Sequence, residues 1–211
     1  MTYNLELINE AKIFVESAMS EMPGDHDYSH VKRVYEISNV ILDSVGGDKE
    51  IVNLASLFHD VADHKFSGDD EASGKSAENF LKGKIDNSRI DWIKAIVSNM
   101  SWSKNIDDIS PYGNKEFHIV QDADRIDALG AIGIARTFSF GGYKKLPLYS
   151  PDHDLYDPEV NYGLQHIHQK YFKVYGSLHF DISRQIAKPR HDFVVKFANQ
   201  FKKEWYGQDY K

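Results

Sequence analysis

The chain has 211 residues, of which 41% are hydrophobic and 27% are charged, as is typical of a globular protein. Because 32 Asp and Glu residues outnumber 25 Lys and Arg residues, the chain is a poor candidate for a dedicated nucleic-acid binder, which needs cations for the phosphates. The absence of Cys excludes disulfides, thiolate metal sites and cysteine nucleophiles. No apolar run reaches the ~20 residues of a membrane span, and the acidic start is unlike a signal peptide. We therefore expect a cytoplasmic protein without membrane attachment.

The first hundred residues show the apolar spacing of several successive helices. The first predicted helix ends before Pro23-Gly24, and Asp48 is placed to cap the third, which contains Ile51 and Leu54. The other elements predicted here are a helix from about Ser29 to Ser44, a polar loop from His64 to Gly74, a short helix at 77–81 and a helix at 90–100.

The second half of the chain is predicted to be helical on both sides of a long loop. A long helix is predicted from Phe117 to Arg136, and helix returns from about Glu159 with a kink at Pro189. Residues 137–160 are rich in Gly, Pro and Tyr and have no period, which is more typical of a lid or a binding loop than of a plain connection. No strand pattern occurs, so the predicted fold is an all-α helical bundle with a C-terminal helical extension.

Four of the ten His residues are followed directly by Asp, and one of these pairs lies on a buried face. His59 borders the apolar face of the third helix, and Asp63 follows one turn later. Burying an imidazole together with carboxylates costs several kcal/mol unless a cation is present, and a divalent metal ion would satisfy them. The pairs that begin at His153 and His191 are expected at the surface.

Two other predicted helices repeat this feature. His30 stands at the head of the apolar stripe of the second helix, and Asp124 lies on the face of its helix that carries Val120. A lone inward His or Asp is usually a hydrogen-bonded structural residue. A His, a His-Asp pair and an Asp on three helices, in this order, favour a metal site.

Three segments of the chain resemble those of a known family. They are GDHDYSHVKRV around His30, LASLFHDVAD around His59 and VQDADRIDALGAIGIAR around Asp124. The pattern is similar to that of the HD-domain superfamily of metal-dependent phosphohydrolases, in particular its small stand-alone bacterial members, and QIAKPRHDFVVKFANQFKKEW resembles their C-terminal segment. The resemblance implies a single HD domain over residues 1–211, with the metal-site core at about 24–136 and the C-terminal extension at about 159–206.

The resemblance also implies a metal centre with His30, His59, Asp60 and Asp124 as its ligands. Two imidazoles and two carboxylates suit one divalent ion among Mn²⁺, Mg²⁺, Co²⁺, Ni²⁺, Fe²⁺ and Zn²⁺. Such an ion lowers the pKa of bound water towards ~7. The expected reaction is hydrolysis of a phosphoester in a small molecule, such as a nucleotide, by this water.

Several further residues are candidates for substrate chemistry. Asp63 is a candidate general base or water-orienting carboxylate, and the equal alternative is a cap or a partner of a ligating His. The candidate cations for phosphate can each also be explained as a solvated surface charge, and they are Arg33, Lys65, Arg125, Lys144 and Lys145.

Two other functions remain open at this point. The first is an HD-type di-iron oxygenase, which would recruit Asp63 and His64 as extra ligands. The second is a non-catalytic, metal-containing ligand-binding module. The sequence also leaves a homodimer open.

Overall fold

The structure is a computed structural model that describes residues 4–20, 27–61, 72–104 and 106–210. Within these ranges the regular structure is helical and no strand occurs, which confirms the predicted all-α fold. No helix in the described part of the chain is both long enough and apolar enough to span a membrane.

Nine helical elements are labelled here in chain order. Seven of them precede the long loop: α1 Leu5–Ala18, α2 Tyr28–Val45, α3 Lys49–Phe58, α4 Ala72–Leu81, α5 Asn87–Ser98, α6 Asn114–Asp127 and α7 Gly130–Tyr143. The composite helix α8 consists of Gly163–His166, a π-helical turn Ile167–Tyr171, Phe172–Val174 and a 3-10 turn Tyr175–Ser177, and α9 is Asp181–Trp205. A further 3-10 turn, Trp102–Lys104, lies between α5 and α6.

The chain divides into two compact units, Met1–Asp124 and Arg125–Lys211. In the first unit, α3 packs against α1, α2 and α5, and α4 packs against α5. Its buried side chains include Val34 and Ile41 of α2 and Leu54 and Phe58 of α3. Since α3 is surrounded by other helices, the residue that follows its last turn, His59, is placed inside the unit.

Side-chain caps fix where α2 and α3 begin. The carboxylate of Asp27 accepts a hydrogen bond from the backbone N–H of His30 at 3.2 Å. Asp48 accepts from the backbone N–H groups of Glu50 and Ile51, each at 3.1 Å, as its sequence position predicts. Each such cap typically contributes about 1 kcal/mol. Arg89 binds both carboxylate oxygens of Asp48, at 2.8 and 2.9 Å.

The second unit is built on the packing of α7 against α9. Phe138 of α7 stacks on Phe201 of α9 with ring centroids 6.0 Å apart. Tyr171, in the π-helical turn of α8, hydrogen bonds to the hydroxyl of Thr137 at 2.6 Å and donates to the carbonyl of Gly133 at 3.2 Å. These contacts attach both α8 and α9 to α7.

The prediction of one long helix from Phe117 to Arg136 is wrong in one respect, because the structure has two helices, α6 and α7, over this range. The chain leaves α6 after Asp127 and begins α7 at Gly130, whose positive φ of 79° suits glycine. A side chain at Gly133 would overlap the carbonyl oxygen of Ala128, so the glycine allows the two helices to meet closely. Helix α7 then continues to Tyr143, and the first part of the predicted 137–160 loop is therefore helical.

The other predicted helix boundaries differ less from those in the structure. Helix resumes at Gly163 rather than at Glu159, and α9 continues as a helix past Pro189. The last residues of the predicted polar loop, from Ala72, belong to α4, and residues 62–71 lie outside the described ranges.

Candidate metal centre

Two buried imidazoles face each other in the first unit. His30 lies in the first turn of α2 and His59 directly follows α3. Their Nε2 atoms are 3.2 Å apart, and their rings meet edge to face with centroids at 5.1 Å. Because α2 and α3 pack side by side, the cap at the start of one helix and the end of the other bring these two nitrogens together.

A backbone contact orients the ring of His59. Its Nδ1 lies 2.8 Å from the carbonyl oxygen of Ser56, which can only accept, so Nδ1 carries the proton and Nε2 presents a lone pair. The hydroxyl of Ser56 in turn donates to the carbonyl of Asn53 at 3.0 Å. Burial lowers the pKa of His59, against the opposing effect of the nearby carboxylates of Asp60 and Asp124. The lowered pKa favours the neutral imidazole that a metal ion binds, and the contact with Ser56 fixes its tautomer.

Two carboxylates complete the cluster. An oxygen of Asp60 lies 3.7 Å from Nε2 of His30. An oxygen of Asp124 lies 3.4 Å from Nε2 of His30 and 3.9 Å from Nε2 of His59. The side chain of Asp60 is 14% exposed and that of Asp124 is 34% exposed, so the carboxylates form the side of the cluster that solvent reaches.

These separations fit a single ion. Two donors bonded to one ion at about 2.1 Å lie about 3.0 Å apart across a right angle and about 4.2 Å apart on opposite sides. The four donor separations, from 3.2 to 3.9 Å, fall within this range. The donor atoms of His30, His59 and Asp60 also lie within 4.8 Å of one another. The donor set is borderline to hard, which suits the divalent ions named above.

The predicted substrate contacts lie in different places. Arg33 is half-buried in α2, one turn after His30. Arg125 is buried, and its guanidinium donates to the carbonyl of Ser177 at 2.7 Å and lies 3.3 Å from Nε2 of His179. Lys144 and Lys145 are exposed at the end of α7, where the ammonium of Lys144 lies 5.7 Å from the ring centre of Phe140. Asp63, His64 and Lys65 fall outside the described residues.

The other His-Asp pairs show how the context of such a pair matters. His153 is exposed, as predicted, and pairs with Asp157 at 2.9 Å. His191 is half-buried against Tyr175, with ring centroids 5.1 Å apart, and Asp192 beside it is exposed. Neither residue lies among the donor atoms of the cluster.

Two contacts near the predicted ligands were not predicted from the sequence. The carbonyl of Ser56 orients His59, and only the spacing of three residues within one helix turn could have indicated it. Arg136 pairs with Asp127, one turn after Asp124, across a helix break that the apolar pattern does not reveal.

The chain is similar to known proteins in sequence. An HD-domain family model matches residues 27–129, which contain all four predicted ligands. The uncharacterized protein YpgQ of Bacillus subtilis is 29% identical over 97% of both chains.

Solved structures show a similarity over nearly the whole chain as well. An HD-superfamily hydrolase from Bacillus thuringiensis is 33% identical, with a TM-score of 0.73, over 95% of this chain and 97% of its own. A structure of Bacillus subtilis YpgQ in complex with ADP is 27% identical, with a TM-score of 0.75, over 96% of this chain and 97% of its own. On these similarities, the chain belongs to the HD-domain superfamily.

Proposed function

We propose that the protein is a metal-dependent phosphohydrolase that cleaves a phosphoester of a small molecule, such as a nucleotide. The observation that carries the proposal is the meeting of His30, His59, Asp60 and Asp124 at donor separations of 3.2 to 3.9 Å. One divalent ion held there would supply a water of lowered pKa and neutralise charge on a phosphate oxygen.

The protein's own groups would prepare this chemistry. The carbonyl of Ser56 holds the proton of His59 on Nδ1 and keeps Nε2 available as a ligand. Both imidazoles are buried while the carboxylates are partly exposed, so water and phosphate would reach the centre from the side of Asp60 and Asp124. Asp63 is our candidate for orienting the attacking water or accepting its proton.

The substrate class is proposed on chemistry and on one relative. Arg33, one helix turn from His30, is our first candidate for a phosphate contact, followed by Lys65, Arg125, Lys144 and Lys145. YpgQ, which is 27% identical in structure comparison, has been solved in complex with ADP, and this supports a nucleotide as the substrate here.

The test is hydrolysis of a library of nucleotides and sugar phosphates by the protein loaded with Mn²⁺, Co²⁺, Ni²⁺ or Mg²⁺. We expect release of phosphate or pyrophosphate from at least one compound, and loss of that activity in His59→Ala and in Asp60→Ala. His153→Ala is the matched control, because it removes the exposed histidine of another His-Asp pair and should keep full activity.

Two results would overturn the proposal. One is activity that survives in His59→Ala and Asp60→Ala, which would place the chemistry elsewhere. The other is a metal content of two irons per chain, which is the expectation for the di-iron oxygenase alternative.

A further inference from the structure

The C-terminal end of α6 is held by two arginines one turn after Asp124. Asp127, the last residue of α6, is fully buried, and its carboxylate accepts from the guanidinium of Arg136 at 3.0 Å. Arg190 of α9 donates to the carbonyl of Ile126 at 3.1 Å. All of these contacts lie inside the second unit.

The fold brings these groups together through the tight connection between α6 and α7. Gly130 has a positive φ and lies close to Arg190, whose Cβ would be 3.2 Å from a side chain at this position. Gly133 lets the first turn of α7 approach the carbonyl of Ala128. The next turn of α7 then places Arg136 on the carboxylate of Asp127.

This end of α6 needs such support for a physical reason. The last four carbonyl groups of a helix have no partner inside the helix, so its last turn frays unless other groups bind it. Asp124 belongs to that last turn. Its side chain is 34% exposed, the most of the four proposed ligands, so the backbone of this turn contributes to its position.

We propose that Arg136 is a positioning residue for the metal centre. By holding Asp127, it fixes the last turn of α6 and keeps the carboxylate of Asp124 directed at Nε2 of His30 and His59. Arg190 supports the same turn through the backbone of Ile126. This inference rests on the metal centre of the proposed function.

The test is Mn²⁺ binding to the metal-free protein, followed by electron paramagnetic resonance at a temperature where circular dichroism shows each variant folded. We expect Arg136→Met to weaken Mn²⁺ binding about ten-fold or more, as is usual when a group that orients a ligand is lost. Arg136→Lys keeps the charge and should restore part of the affinity.

Arg89→Met is the matched control. It removes another arginine that pairs with carboxylates, those of Asp48 and Glu50. Asp48 caps the N-terminal end of α3, and His59 follows its C-terminal end. The two residues are eleven positions apart, or about 16 Å along the helix axis. We expect both this variant and Arg136→Met to lower the melting temperature of the metal-free protein, but Arg89→Met should bind Mn²⁺ within about two-fold of the wild type.

The outcomes separate this inference from the proposed function. If the wild type does not bind Mn²⁺, both fail. If the wild type binds and Arg136→Met binds equally well, or Arg89→Met weakens binding as much, the positioning role alone fails. If Arg136→Met does not fold, Arg136→Lys is compared with Arg89→Lys, and a larger loss of Mn²⁺ affinity in Arg136→Lys supports the role while an equal one overturns it.

Discussion

At the scale of single residues, the location of the protons decides what the buried histidines His59 and His168 can do. His59 donates through Nδ1 to a fixed carbonyl and so has a defined tautomer. The Nε2 atom of His168, in the π-helical turn of α8, is buried without a hydrogen-bond partner among the described residues. Both histidines are buried, but His59 has the carboxylates of Asp60 and Asp124 nearby, whereas the charged neighbour of His168 in the described part of the chain is the ammonium of Lys202. Their environment, rather than the residue type, therefore distinguishes a candidate ligand from a structural histidine.

His168 should make the stability of the protein depend on pH. Burial, with a smaller contribution from the ammonium of Lys202, lowers its pKa from 6.5 to about 4. Between these values the unfolded chain binds a proton that the folded chain does not, so stability is lost as the pH falls from 6.5 towards 4. We expect a loss on the order of 1 to 2 kcal/mol between pH 7 and pH 5.

Urea unfolding of the wild type and of His168→Phe at several pH values measures this effect. The phenylalanine keeps a ring against Phe172, whose centroid lies 4.5 Å from that of His168, but it cannot take up a proton. The unfolding free energy of the variant should fall less steeply below pH 6.5. If the unfolding free energy falls equally with pH in the two proteins, His168 is not the cause of the pH dependence.

At the scale of helices, the sequence predicts α2 and α3 well because their limits are set by local chemistry. The capping role of Asp48 and the apolar positions of α3 can be identified directly in the sequence, and the structure agrees. The break between α6 and α7 was missed because Ile126, Leu129 and Ile134 continue the helical spacing across it. The break depends on the positive φ of Gly130 and on a close backbone approach, neither of which changes the apolar pattern.

At two glycines of α7, substitution by alanine should change the stability of the protein in opposite ways. A methyl group at Gly133 would overlap the carbonyl of Ala128, whereas one at Gly142 would meet nothing within 4 Å. We expect Gly133→Ala to destabilise the protein by about 1 to 3 kcal/mol, as an overpacked site does. Gly142→Ala should be neutral or stabilising by up to about 1 kcal/mol, since alanine favours helix.

Denaturant unfolding of both variants tests this packing. The close approach of α7 to Ala128 requires that Gly133→Ala lose more stability than Gly142→Ala. If the two variants have the same unfolding free energy, the connection between α6 and α7 is looser than the structure indicates.

At the scale of the whole molecule, all four proposed ligands lie in the first unit, Met1–Asp124. The predicted inward positions of His30, His59 and Asp124 favour a metal site from the sequence, and the family resemblance adds Asp60 to the set. The substrate contacts could not be grouped in this way, because exposed cations such as Lys144 follow no period that marks an inward face. The interpretation of the chain as one domain over residues 1–211 stays a prediction.

The most direct test of the proposed metal centre is the anomalous diffraction of crystals grown with Mn²⁺. We expect one strong peak per chain, bonded to Nε2 of His30 and His59 and to carboxylate oxygens of Asp60 and Asp124. A peak that lies away from these four side chains, or that lacks either His30 or Asp124 as a ligand, would contradict it.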